Sequence, residues 1–188
     1  MTAQELFEGL APRLAPMLLV AFGRRDLCVL ATRVAIDVGA YFGVLVNPVP
    51  VQVVAYNAQF AEAVKSGDPT FALQNGGHSV GIGFGLPKGA PTPEGRWNGH
   101  LIATADGWFG DFAISQAERA AHLIFTGPAI VGPYSGAVMW DAQHDNGTTV
   151  EYKRTADQTY RQGPDWRDAR RRRKITGLLI RSLNGSCR

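Results

Sequence analysis

Three side chains in this sequence could together perform nucleophilic catalysis: Cys28, His100 and Asp111. In such a set the cysteine thiolate attacks an acyl carbon and the imidazole transfers the proton. The carboxylate orients the imidazole and stabilises its charged form. His100 and Asp111 lie in RWNGHLIATADGWFGDFAIS, residues 96–115, which predicts a strand, a tight turn and a second strand. We therefore expect the histidine and the aspartate on neighbouring strands.

The turn of this hairpin, Asp106-Gly107, also predicts its register, because an Asp-Gly pair between apolar runs is a strong hairpin signal. Strands pairing about this turn bring together positions whose numbers sum to roughly 213. His100 and Asp111 then fall within about two residues of direct opposition. The alternative is an ordinary strand pair whose polar side chains meet by chance.

Cys28 falls in the first turn of a predicted central helix over RRDLCVLATRVAIDVGAYFG. Asp26 is its expected cap and Gly43 its expected end. The positive end of the helix dipole favours a thiolate, and Arg24 and Arg25 add positive charge. The alternative for Cys28 is a small apolar core residue. The positions expected to pack this helix are Leu27, Leu30, Ala31, Val34, Ile36, Val38 and Tyr41.

The other histidines offer weaker sites. His78 follows Asn-Gly-Gly, but no aspartate lies on a predicted partner strand. The polar segment DAQHDNG is typical of a turn, so we expect neither a metal site nor a cofactor there. The side chains that such a metal site would use are His122, His144, Asp141 and Asp145. GIGFG at 81–85 lacks the strand–turn–helix context of a nucleotide-binding loop.

The elements that must position these residues predict an α+β fold. A capping-box pattern at Thr2 and Glu5 begins the first helical segment, and Pro12 and Pro16 divide or kink it. VPVQVVAYNAQF, HSVGIGF, AIVGPYSGAVMWDAQ and TTVEYKRT predict strands, while AEAVKSG predicts a short helix. QAERAAHLIF fits either a short helix or a loop.

Helices, then antiparallel strands, then a closing helix are typical of an α+β architecture, whereas a doubly wound fold requires strands and helices to alternate. A chain of 188 residues fits a single domain. Its predicted parts are a helical segment over 1–43, an antiparallel sheet over about 48–155 and a basic C-terminal helix over about 165–183, with an Asp165 cap.

Composition predicts a soluble, reduced protein of the cytoplasm. The chain is 45% hydrophobic and 19% charged with a net charge of +3, as in ordinary globular proteins. Its two cysteines, Cys28 and Cys187, lie in such different settings that we expect no disulfide. Glu5 and Glu8 stand where a signal peptide would be positive, and the run APMLLVAF is too short to span a bilayer.

The basic run RDARRRRK, residues 167–174, is the best case for a different class of function. Clustered arginines can bind nucleic-acid phosphates or an acidic partner. These arginines, however, are distributed around the predicted helix, no aromatic platform accompanies them, and the net charge is small. A solvated helix face from Arg170 to Lys174 that pairs with local acids is the other interpretation.

A resemblance to a known superfamily connects the three residues. A cysteine opening a central helix, then a glycine and a β-branched strand (AYFGVLVNPVPVQVVAYN), then GHLIATADGWFGDFAIS with Trp108 as its aromatic residue, resembles the transglutaminase-like and papain-like cysteine enzymes. The similarity covers roughly residues 24–116. Arylamine N-acetyltransferases have the same residue order, and GRRDLC resembles the stretch before their cysteine. Leu101 and Ile102 stand where HAW is common in transglutaminase-like domains.

The resemblance implies that the nucleophile's helix packs on the antiparallel sheet, and that the protein is a hydrolase or acyltransferase acting on an amide, peptide or thioester. The intermediate is a thioester on Cys28. The backbone N–H of Cys28 and one side-chain donor would hold the oxyanion. The candidates for that donor and for substrate contacts are Gln52, Trp97, Asn98 and Trp108. The alternative is a non-catalytic binding protein on the same fold.

Overall fold

A computed structural model gives the fold of residues 1–23, 27–84 and 97–186. Arg24, Arg25, the expected cap Asp26 and Cys187 lie outside these described residues. The helices are α1 (Ala3–Leu10), α2 (Leu14–Phe22), α3 (Cys28–Tyr41), α4 (Ala58–Ser66), α5 (Pro69–Gln74), α6 (Pro164–Arg167) and α7 (Ala169–Ser186). Single 3-10 turns occur at Ile114–Ala117, Ala120–His122 and Thr159–Gln162.

The N-terminal helices begin and end as their sequence signals predict. The Thr2 hydroxyl accepts from the Glu5 N–H and the Glu5 carboxylate accepts from the Thr2 N–H, so the capping box is confirmed. The proline-containing segment forms two helices, α1 and α2, and Gly23 ends the second with a φ of 67°.

Helix α3 is buried along most of its length, as predicted, but its last turn is not. Tyr41 is 59% exposed and Ile36 is only partly buried. The prediction that Tyr41 packs in the core is wrong, because its ring instead lies against that of Phe42 and its hydroxyl accepts from the Asn184 side chain. The helix ends there, followed by Gly43 at a φ of 75°.

Seven strands form one antiparallel, nearly closed sheet in the order β5-β4-β3-β1-β7-β6, and β2 pairs with the C-terminal half of β1. The strands are β1 (Asn47–Tyr56), β2 (Ser79–Ile82), β3 (His100–Ala105), β4 (Trp108–Asp111), β5 (Ile130–Pro133), β6 (Met139–Gln143) and β7 (Thr149–Arg154). The prediction of an α+β fold with an antiparallel sheet is therefore confirmed.

Two segments differ in detail from the sequence prediction. AIVGPYSGAVMWDAQ forms two strands, β5 and β6, with a loop that contains Gly136 at a φ of 82°. QAERAAHLIF forms part of one 3-10 turn and all of a second, so it is closer to the loop alternative. Within the described residues, no helix has both the length and the apolar character needed to cross a bilayer.

The sheet separates two apolar cores. Alternate residues of β3 (Leu101, Ala103 and Ala105) pack with α1, α2, α3 and α7, in what we call the helical core. Ile102 faces the other side and packs with β1 and β7 residues such as Val53 and Tyr152, in what we call the inner core. Successive side chains of a strand point to opposite faces, so β3 contributes to both cores.

A buried ion pair joins α7 to α3. The Arg172 guanidinium donates to Asp37 and to the carbonyl of Trp166, and Arg172 is 8% exposed. Asp37 also pairs with Arg33 at 3.2 Å. The predicted C-terminal helix is broken at Asp168, which accepts from the Arg170 N–H at the start of α7.

We expect Arg172→Met to lower the free energy of unfolding by about 2 kcal/mol, because methionine keeps much of the apolar stem but removes charge-assisted hydrogen bonds. The loss is below that of a fully buried pair because Asp37 is 25% exposed and keeps Arg33. Urea denaturation measures it. The control is Arg173→Met, an exposed neighbour expected to change stability by less than about 0.5 kcal/mol; equal losses in both variants would contradict the assignment.

Candidate active site

The β3–β4 hairpin has the predicted register. Ala103 pairs with Gly110, Thr104 with Phe109 and Ala105 with Trp108. Asp106 and Gly107 both have positive φ, 42° and 78°, which is the geometry of a two-residue hairpin turn. The same register extended by one pair places Asp111 opposite Ile102, diagonal to His100 and on the same face.

The Asp111 carboxylate is fully buried and bound on both oxygens. Oδ2 lies 2.7 Å from Nε2 of His100 and accepts from the hydroxyl of Tyr152 at 3.2 Å. Oδ1 accepts from the backbone N–H of Ala113 at 3.1 Å. A buried charge is tolerated when several donors satisfy it, so this arrangement holds a carboxylate in the apolar inner core.

The Tyr152 hydroxyl donates a hydrogen bond to Asp111 and keeps the proton that makes this bond. Burial raises the pKa of its phenol well above the ordinary value, and the negative charge and hydrogen bond of Asp111 raise it further. The hydroxyl therefore keeps its proton throughout the neutral range. Tyr152 was not among the candidates from the sequence, because its role depends on β7 being close to β4 across the nearly closed sheet.

Two contacts one helical turn apart dock α3 on β3 and place the nucleophile. The hydroxyl of Thr32 donates to the carbonyl of Leu101 at 3.0 Å. The thiol of Cys28 donates to the carbonyl of Gly99 at a distance of 3.8 Å. These carbonyls flank His100 in the chain. The thiol is therefore held beside the first residue of β3, and Cys28 itself is 6% exposed.

His100 links the carboxylate to the thiol. Burial lowers its pKa, but the negative charge and hydrogen bond of Asp111, together with a hydrogen bond and charge interaction with Cys28, outweigh burial and raise the pKa to about 10. Nε2 is engaged by Asp111, and Nδ1 is in contact with the side-chain amide of Gln116. The structure thus brings Cys28, His100 and Asp111 together.

Gln116 is a fourth polar residue of the site, and sequence reasoning missed it. Its side-chain amide is in hydrogen-bond contact with Nδ1 of His100. The 3-10 turn Ile114–Ala117 carries it, and Ile114 and Ala117 anchor that turn in the inner core. An amide can present nitrogen or oxygen, so Gln116 can bind either the neutral ring or the imidazolium. Its only sequence signal is its place shortly after Asp111, in a segment with the apolar residues Ile114 and Ala117.

The proposed oxyanion donors are placed differently from one another. Trp97 lies against Gly99, where a Cβ would fall 2.0 Å from its ring, but its indole N–H donates to Asp157 at 2.7 Å. In this arrangement the Trp97 indole N–H is thus engaged by Asp157, and the ring packs beside the backbone that leads into His100. Asn98 lies between Trp97 and Gly99 in the chain and is partly buried.

Gln52 and Trp108 are not brought to the three residues. Gln52 is on the opposite face of β1 from Val51, the direct partner of His100. Trp108 pairs with Ala105 at the turn end of the hairpin, five residues and about 17 Å along β3 from His100. Trp108 packs on the helical core instead.

The other histidines are His78, His122 and His144. The rings of His78 and His122 lie 4.0 Å apart. Burial lowers the pKa of His144, against the opposing charge of Asp145. Within the described residues, no group of three or more histidine, cysteine or acidic side chains could hold a metal ion.

We expect the ring of His100 to titrate near pH 10, and we expect Asp111→Asn to move its pKa below the ordinary 6.5, because burial then acts with less opposition. Nitrogen-15 NMR of the imidazole measures both values. The pKa of His100 in the folded protein lies above the ordinary value of 6.5. Its interaction with Asp111 therefore stabilises the fold fully below about pH 6.5, and this stabilisation is lost as pH rises through about 10. His144, shifted the opposite way, is the internal control; a His100 titration below 6.5 in the parent protein would refute the assignment.

Comparisons of the chain with protein-family models, with curated proteins and with solved structures found no match.

Proposed function

We propose that this protein is a cysteine-dependent hydrolase or acyltransferase of transglutaminase-like type, acting on an amide, peptide or thioester. The observation that carries the proposal is the geometry of three residues: the Asp111 carboxylate lies 2.7 Å from Nε2 of His100, and the Cys28 thiol lies 3.8 Å from the carbonyl of Gly99, the residue before His100. A nucleophile, a base in contact with it and a group that orients the base are the parts of covalent acyl transfer.

In the proposed first step, the Cys28 thiolate attacks the acyl carbon and the carbonyl electron pair moves to oxygen. The carbonyl re-forms as the bond to the leaving group breaks, and the His100 imidazolium gives its proton to that group. The product on the enzyme is a thioester on Cys28. Asp111 stabilises the imidazolium throughout through its 2.7 Å contact with Nε2.

In the second step, water or an acceptor amine gives a proton to Nδ1 of His100 as its oxygen or nitrogen attacks the thioester carbon. The carbon–sulfur bond then breaks and the Cys28 thiolate returns. The backbone N–H of Cys28 is the first oxyanion donor, because the first N–H groups of a helix lack intrahelical acceptors. A thiol nucleophile must stay reduced, so we propose the cytoplasm as its location.

Binding of nucleic acid through the basic run is the weaker hypothesis. Arg171 pairs with Asp165 and Asp168, and Arg172 pairs with Asp37. Charges bound to acids of the same chain contribute less to an electrostatic surface for phosphates. This matches the interpretation of Arg170–Lys174 as a helix face that pairs with local acids.

We expect the protein to react with p-nitrophenyl acetate in a burst of one p-nitrophenolate per chain, leaving an acetyl group on Cys28. Absorbance and intact-mass spectrometry measure the two products, and hydroxylamine releases the acetyl group because thioesters are labile to it. Cys28→Ser is expected to abolish the burst, and His100→Asn to slow it at least about 100-fold.

Cys187→Ser and His144→Asn are the matched controls for these two variants, and both should keep the parent burst. A burst that survives in Cys28→Ser, or an acetyl group mapped to another residue, would show the proposed nucleophile to be wrong. Circular dichroism of each variant checks that the fold is retained.

We expect Gln116→Met to slow acetylation about fivefold, the effect of losing one hydrogen bond of about 1 kcal/mol that positions the ring. Because Gln116 acts through His100, the Nδ1 resonance of His100 should move while that of Nε2 stays near its parent value. Gln143→Met, at an exposed position of β6, is the control. An unchanged rate and an unchanged Nδ1 resonance would exclude a positioning role.

A further inference from the structure

A pocket of about 380 Å³ lies between α2 and the chain segment that follows β4. Its volume falls within the range of sites for small molecules. The lining is mostly apolar and includes Leu18, Leu19, Leu27, Phe112, Ser115 and Glu118.

Three residues of the pocket wall are chain neighbours of residues of the candidate active site. Leu27 immediately precedes Cys28, Phe112 follows Asp111, and Ser115 precedes Gln116. Leu27 and Phe112 also belong to the helical core that contains Cys28. Three of the four polar residues of the site thus have a chain neighbour in the wall of this pocket.

We propose that this pocket is the subsite for an apolar, uncharged group of the acyl donor, held beside the Cys28 sulfur while the thioester forms. This inference rests on the proposed function and adds the class of substrate to it. A substrate atom must enter a site in which Cys28 is 6% exposed and His100 is fully buried. Binding of an apolar group next to the thiol supplies a driving force for that entry, because each buried methylene favours transfer from water.

The charges of the lining restrict the group further. Among the described residues that line the pocket, Glu118 is the one that carries a charge, so a carboxylate placed beside it would meet a like charge. A free fatty acid inserted by its charged end is therefore disfavoured. Two kinds of acyl donor carry an apolar, uncharged group that could occupy the pocket. One is an acyl thioester with its hydrocarbon chain, and the other is a peptide or amino-acid amide with a bulky apolar side chain.

The test compares alkylation of Cys28 by iodoacetamide with alkylation by its N-butyl, N-octyl and N-benzyl derivatives, using the full chain in its folded state. Peptide mapping gives each rate, which is divided by the rate of the same reagent with glutathione. We expect at least one derivative to react about tenfold faster than iodoacetamide, since one buried methylene is worth up to about fourfold. A rate that rises through octyl indicates an acyl chain, and a maximum at benzyl indicates a side chain.

Two matched pairs of variants locate the effect. Leu19→Asp places a charge in the pocket wall, whereas Val20→Asp places it at the neighbouring residue, which is 88% exposed. Ala15→Phe fills the pocket, whereas Ala21→Phe adds the same ring at an exposed position of α2. The derivative-to-iodoacetamide ratio is expected to fall toward one in the first member of each pair and to stay at the parent value in the second.

The outcomes separate this inference from the proposed function. Rapid reaction of Cys28 with iodoacetamide and no acceleration by any derivative would overturn the subsite and leave the nucleophile standing. Acceleration that survives equally in Leu19→Asp and Ala15→Phe would also overturn it, because the apolar contact would then lie elsewhere. Reaction of Cys28 with no reagent until the protein is denatured would overturn both.

Discussion

The docking of helix α3 on strand β3 is the constraint on which the rest of the site depends. Thr32 and Cys28, one turn apart on the helix, contact the carbonyls of Leu101 and Gly99, two residues apart on the strand. A helix rises about 5.4 Å per turn and a strand about 6.8 Å over two residues, so the pair of contacts sets both the direction and the axial position of the helix. Sliding either element by one residue would separate the thiol from His100.

Burial of the charged pair His100 and Asp111 removes both side chains from water, and hydrogen bonds to Asp111 offset this loss of hydration. Asp111 accepts from an imidazole, a phenol and a backbone N–H, each contributed by a different part of the chain. Removal of any one partner would leave a lone pair unsatisfied in apolar surroundings, which costs more than the hydrogen bond contributes when present. The site is thus stabilised by the same contacts that orient its base.

Local signals explain why much of this arrangement was predictable. The Asp106-Gly107 turn sets the hairpin register, and period-two alternation then places His100 and Asp111 on one face. Long-range contacts explain what was missed. Tyr152 reaches Asp111 only because the sheet curves toward closure, and Gln116 reaches His100 only because its turn is anchored in the inner core. The surroundings of Trp97 and Trp108 could not be predicted, because the sequence does not reveal which face of a strand, or which hydrogen-bond acceptor, an indole will meet.

The two halves of the site belong to different apolar cores, with the thiol in the helical core and the histidine on the face of the inner core. Under the proposed function, a chain in which only one core has formed would carry either the cysteine without its base or the base without its nucleophile. Reactivity of the thiol would then be a property of the completely assembled molecule.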